Sequence, residues 1–291
     1  MQVDSLLYDK PSIELNFETL KKTATDTLAS GGHKPSRPLQ HYEFIQWLEQ
    51  KIQDKTGKET VLEPVIVSRN HSRRINFEGS PKDPCPVDQV LIQRLVTRIG
   101  LKDHEIEAAG EKLIPCFAIA YSDDGIEVSF GSNVWMCANM NIFGSTIYRT
   151  YGKDKVSFED LQQAVLGQIN TFSSRHEQNS NIVKALYDIT IPVEKQRLWE
   201  AEVFETAVRA NKLKTRDLIL NLSQTTRLTE ELLRKRDLNP TGGSMTAWDF
   251  TQAGTEHLKP ISQDMVALYP TVEKFNTWVI EKAELPTSLL V

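Results

Sequence analysis

The chain has 291 residues, 40% of them hydrophobic and 25% charged, with a net charge of −5. It is long enough for one large domain or two modest ones, each with a substantial core. The acidic balance argues against a protein that coats duplex nucleic acid with its whole surface, but it leaves room for a local basic groove.

No apolar run approaches the roughly 18–20 residues that a membrane-spanning helix needs. The N-terminus, Met1 to Lys10, lacks a basic stretch followed by a long apolar one, so no secretory signal is expected. Cys85, Cys116 and Cys137 are odd in number and widely spaced, which fits neither a disulfide framework nor a closed zinc site. These features together predict a cytoplasmic protein with no membrane partner.

In chain order, Leu15, Phe17 and Leu20 suggest a short strand or helix start, and residues 30–38 read as a flexible connection. From His41 to Ile52 the spacing of Phe44, Ile45, Leu48 and Ile52 predicts an amphipathic helix, with Gly57 as its C-terminal cap. Val61–Val67 is strand-like but contains Pro64, and Arg73–Phe77 could pair with it across a polar turn. Val87 to Ile99 returns to helical spacing through Val90, Leu91, Leu95 and Ile99. Ile114–Tyr121 and Ile126–Phe130 read as strands joined by a hairpin at Ser122–Gly125.

The run from Phe130 to Gly144 reads as the next, buried strand, yet it carries Asn133, Asn139 and Asn141, and buried amides need partners. Beyond Gly152 the pattern is helical. Ser157–Asp160 resembles a helix start, with Leu161, Val165, Leu166 and Ile169 as the apolar face. Pro192 opens a long helix through Trp199, Val203, Phe204 and Val208, followed by shorter helices at 215–222, 226–236, 246–258 and 271–283.

The fold class is therefore α+β, a small antiparallel β-sheet in the first half packed against a helical second half. Residues 1–60 form an N-terminal segment with one amphipathic helix, and 61–155 an antiparallel β-rich region. Residues 156–291 form a helical region that makes one globular unit with 61–155.

Candidate chemistry is sparse. The six histidines, among them His104 and His176, are scattered, so no ligand spacing supports a metal. Cys116 and Cys137 sit among apolar neighbours, where a thiol acts as a small hydrophobe and not as a nucleophile. Gly242-Gly243 ahead of Thr246 lacks the lysine of a phosphate-binding loop, and a Thr246 helix cap explains it better. No cofactor and no catalytic residue are expected. Trp248, Phe250, Ala253, Phe275 and Trp278 read as an aromatic core cluster.

Basic residues remain. Arg209, Lys212, Lys214 and Arg216, and likewise Arg227, Arg234, Lys235 and Arg236, lie where cations complement helix ends. That explanation covers Arg69, Arg73 and Arg74 less well, and also Arg149, Lys153 and Lys155 with Tyr148 and Tyr151 among them. Cations interleaved with aromatics are what a single-strand groove uses, so these eight residues are the candidate nucleic-acid contacts.

The segment Phe130–Phe143 resembles the strand motif of phage- and plasmid-encoded proteins grouped as domain of unknown function 932, and is similar to the related Bacteroidetes group 3871. The following leucine-faced helix, Ser157–Ile169, and the pair Thr246–Phe250 and Phe275 continue the resemblance over roughly residues 115–283. The resemblance implies a mobile-element setting, near replication and recombination genes, and carries no catalytic residues. The expected function is thus non-enzymatic binding of nucleic acid, with single-stranded DNA as one form. The alternative is a protein-interaction module with phage or host proteins as partners, such as a virion component or a host-defence antagonist. Self-association is open to either.

Overall fold

The computed structural model describes residues 12–22, 41–68, 94–122, 125–134, 142–149, 158–213, 219–238, 243–256, 258 and 268–289. Its strands are β1 (Ser12–Leu15), β2 (Thr60–Leu62), β3 (Val65–Ser68), β4 (Arg94–Leu101), β5 (Ile106–Ala108), β6 (Glu111–Ser122), β7 (Gly125–Val134) and β8 (Phe143–Arg149). They form one antiparallel sheet in the order β1-β3-β4-β6-β7-β8, with β2 also on β4 and β5 also on β6. The β6–β7 register sets Ser122 opposite Gly125, the tight hairpin that the sequence predicts.

Both faces of this sheet are covered. One face presents Leu95, Ile99, Phe117, Ile119, Val128 and Phe130 to α1 (His41–Thr56) and to the first turns of α2 (Phe158–Asp188). The contacting side chains there are Phe44, Ile45, Leu48, Ile52, Leu161, Val165 and Ile169. Gly57, with a positive φ of 64°, ends α1 as expected, its N–H donating to the Gln53 carbonyl.

The opposite face is built from small residues, among them Cys116, Ala118 and Ala120, and joins the helical second half. That half comprises α3 (Val193–Leu213), α4 (Leu222–Leu238), α5 (Ala247–Thr255) and α6 (Leu268–Lys282). Trp199, Phe250, Phe275 and Trp278 meet there at centroid distances of 5.3–6.3 Å, so the aromatic cluster is core. Each such buried ring stabilises the fold by about 1.5–3 kcal/mol, before entropy is counted. Thr246 caps α5 as expected and completes a capping box with Asp249. It also belongs to β10 (Met245–Thr246), which pairs with β9 (Thr190–Ile191) and ties the start of α5 to the start of α3.

Several expectations need correction. The helical spacing through Leu95 and Ile99 belongs to strand β4 where it is described. Residues 95, 97 and 99 share one face of a strand, and Val96 is buried on the other, so a strand covered on both sides mimics the helical pattern. The single strand over Val61–Val67 is two strands, broken at Glu63-Pro64, and β1 covers β3 as the outer strand. The short strand or helix start expected near Leu15 is β1, so the N-terminal segment contributes a strand to the sheet as well as a helix. The run Phe130–Gly144 is the end of β7 and the start of β8, with its middle, including Cys137, Asn139 and Asn141, outside the described residues. Residues 219–221 are not helical, and α4 begins at Leu222, capped by Asn221, whose side chain accepts from the Gln224 N–H.

Candidate functional site

Of the eight candidate contacts, Arg69, Arg73, Arg74, Tyr151, Lys153 and Lys155 lie outside the described residues. Tyr148 and Arg149 end β8, the last strand of the sheet among the described residues. Neighbouring strand residues point to opposite faces, and these two do. Tyr148 packs half-buried against the core that holds Val128 and Phe130. Arg149 pairs with Glu127 across the strands, with Nε 3.4 Å from Oε2, and keeps 33% of its side chain exposed. A further cation, Arg175 of α2, reaches β8 from the Tyr148 side, donating to Ser145 Oγ at 3.5 Å.

Four cations of the helical clusters are ion-paired within the chain, while Lys214 and Arg216 lie outside the described residues. Arg209 pairs with Glu205, Arg234 with Glu231, Lys235 with Asp249 and Arg236 with Glu200.

Beneath Arg149 runs a polar seam between the small-residue face of the sheet and α6. Glu127 is fully buried, and among the described residues neither carboxyl oxygen has a well-formed hydrogen bond. Burial pushes this carboxyl up to about 8; Arg149 opposes the rise, Glu273 adds to it and Ser129 opposes it weakly. Tyr269 of α6 is buried in the same seam, and burial raises its hydroxyl well above the usual range. Glu273, one turn along α6, accepts from the Thr146 N–H of β8 at 3.1 Å, and Asn179 of α2 donates to the Phe143 carbonyl at 3.1 Å.

Deeper in the sheet, Arg98 donates to Glu63 Oε2 through Nε at 2.9 Å and Nη2 at 2.5 Å, and to Asn133 Oδ1 at 2.6 Å. Asn133 Nδ2 donates in turn to Glu63 Oε1 at 3.2 Å, which supplies the partners that a buried amide requires.

A second polar pair joins Ser132 of β7 to His176 of α2, with Oγ 2.8 Å from Nδ1. Nε2 lies 2.8 Å from the His104 carbonyl, so Nε2 carries the proton and Nδ1 accepts from the serine. Burial pulls this imidazole down to about 4. Ser132 is fully buried, and the pair pins α2 to the sheet and to the β4–β5 connection. Cys116 is equally buried, its thiol pushed up to about 12 by burial. Among the described residues, no three His, Cys, Asp or Glu side chains are grouped to hold a metal ion.

These two buried groups give stability an unusual pH profile. The His176 contribution is complete above its unfolded value near 6.5 and is lost as pH falls towards about 4. The neutral Glu127 acts oppositely, because its contribution is complete below its unfolded value near 4.5 and is lost as pH rises towards about 8. Of these two groups, Glu127 makes the larger change between pH 6.5 and 8, and its share of stability falls with rising pH. Glu127→Gln is expected to remove that fall and to stabilise the protein at pH 8 by about 1–3 kcal/mol. Urea midpoints of both proteins at pH 6.5 and 8 check this, and parallel profiles would refute it.

Comparison with protein-family models, curated proteins and solved structures returned no match. The seam is hidden in the sequence because Ile126-Glu-Val-Ser-Phe130 alternates like a strand with one wet face. The small residues of β6 and β7 are the available signal, since Cys116, Ala118, Ala120 and Gly131 leave room for a helix on that face.

Proposed function

We propose that this protein binds nucleic acid, single-stranded in preference to duplex, along the β8 margin of its sheet. One observation supports the reading. Arg175 and Tyr148 flank β8 on one side and Arg149 closes its end on the other, directly before Tyr151, Lys153 and Lys155 in the chain. A flexible backbone can follow such a rim, with cations tracking phosphates and rings taking bases. A mobile-element origin, in recombination or replication, is the setting that the family resemblance implies.

Fluorescence anisotropy with a labelled oligonucleotide tests the reading. Binding should weaken with salt, and the triple variant Arg149→Gln, Lys153→Gln, Lys155→Gln should flatten the log–log salt slope by about 2, at ~0.7 for each phosphate no longer neutralised. An unchanged slope, or no binding by the native protein, would sink it.

The protein-interaction alternative is favoured by a different observation, the exposure of Leu198 and Phe204 on α3.

A further inference from the structure

We infer that the outer face of α3 is a self-association surface, on which two copies of this chain pair antiparallel about a two-fold axis at Ala201. The helix turns Gln196, Trp199, Val203, Ala207 and Ala210 inward. Its outer face carries Glu194, Arg197, Leu198, Ala201, Phe204, Glu205 and Arg209, all exposed. Leu198 is 69% and Phe204 51% exposed, an unusual placement for two large apolar side chains within two turns. At about 100° per residue these seven positions fall within one arc of about 140°.

The pattern is complementary to its own reverse. Turned about Ala201, the helix sets Leu198 opposite Phe204, Arg197 opposite Glu205, and Glu194 beside Arg209 of the second copy. Every charge then meets its opposite, and each apolar side chain meets the other kind. A two-fold interface requires this arrangement, because whatever residue i does to residue j is done again by j to i. Parallel pairing in register would instead set each charge against itself.

The alanine at the crossing point lets two helices approach closely, towards the lower end of the usual 8–10 Å separation. Antiparallel pairing also opposes the two helix dipoles. Glu205 already pairs with Arg209 of its own helix, so Arg197 of the second copy completes a three-charge group. Unrelated apolar partners could use Leu198 and Phe204, but they would not account for the mirrored order of charges. The surface lies on the helical layer, separate from the β8 margin, so dimerisation and nucleic-acid binding stand or fall independently.

Sedimentation velocity on the full chain tests the inference. The native protein should sediment as a dimer of 33.1 kDa chains at micromolar concentration. Ala201→Arg, and independently Leu198→Asp, should yield monomers with an unchanged circular dichroism spectrum, since both positions face solvent. Arg197→Glu should dissociate the dimer by facing Glu205 of the other copy, and adding Glu205→Arg should restore it. A monomeric native protein, or a dimer that survives Ala201→Arg, would overturn the proposal. A charge-swapped double variant that stays monomeric would overturn the antiparallel pairing.

Discussion

Replacing Gly144 with alanine is expected to cost about 3 kcal/mol or more and to leave little folded protein at 37 °C. Gly144 of β8 faces Gly131 of β7 across the strands. A methyl at Gly144 would sit 2.1 Å from the Phe130 carbonyl oxygen and 2.3 Å from the Gly131 Cα. A methyl at Gly131 would meet the Phe143 carbonyl oxygen at 2.6 Å. The obstacles are backbone atoms, which cannot rotate aside as a side chain would, so the two strands would have to part. Parting them would loosen the Glu127–Arg149 pair on the same strands. Gly167→Ala is the matched control, because a Cβ there meets nothing within 4 Å on α2. That substitution should stabilise the helix by about 1 kcal/mol. Urea unfolding of the three proteins provides the measurement, and a Gly144→Ala midpoint equal to the native one would contradict the close approach.

Arg98→Met is expected to cost about 3–5 kcal/mol, because it removes the charge partner of Glu63 and a donor from the buried Asn133 amide, leaving Glu63 with the Asn133 donor. Arg98 is 4% exposed, whereas Glu63 keeps 21% of its side chain in contact with solvent. The cost should therefore fall near the lower end of that range, since water can partly solvate the abandoned Glu63. Adding Glu63→Gln to Arg98→Met should recover part of the stability, as the stranded charge disappears. A double-mutant cycle by thermal or urea unfolding reads this coupling. Strict additivity of the two substitutions would show that the three side chains do not act as one group.

What can be read in advance follows from how many faces of an element are buried. Helix α1 has one apolar stripe, and its residues and its glycine cap are legible from spacing alone. The capping box at Thr246 and Asp249 is equally legible, because its chemistry is local. Strand β4 is not, since Leu95 and Val96 are buried on opposite sides and a two-sided strand has no alternation to read. The same cause hides Glu127, which alternation places in water and which α6 covers instead. Among the candidate contacts, Arg149 stands out by its charge, but its carboxylate partner lies 22 positions earlier and is brought near only by the β7–β8 pairing. The self-complementary order on α3 is present in the sequence throughout. It becomes legible only once the helix is known to turn Trp199 and Val203 inward, which decides which residues remain outside.

The two side chains that reach β8 from the helices have a consequence for how copies of this chain can meet. Asn179 occupies the Phe143 carbonyl and Glu273 the Thr146 N–H, so these two positions on the last strand are already hydrogen-bonded. A strand from another molecule arriving there would have to displace a helix-borne amide and a carboxylate before gaining two of its own bonds. Growth of the sheet from molecule to molecule is thereby discouraged at this margin, the hazard that bare strand edges carry. Contact between copies is diverted to the helical layer, where it closes after two chains instead of propagating without limit.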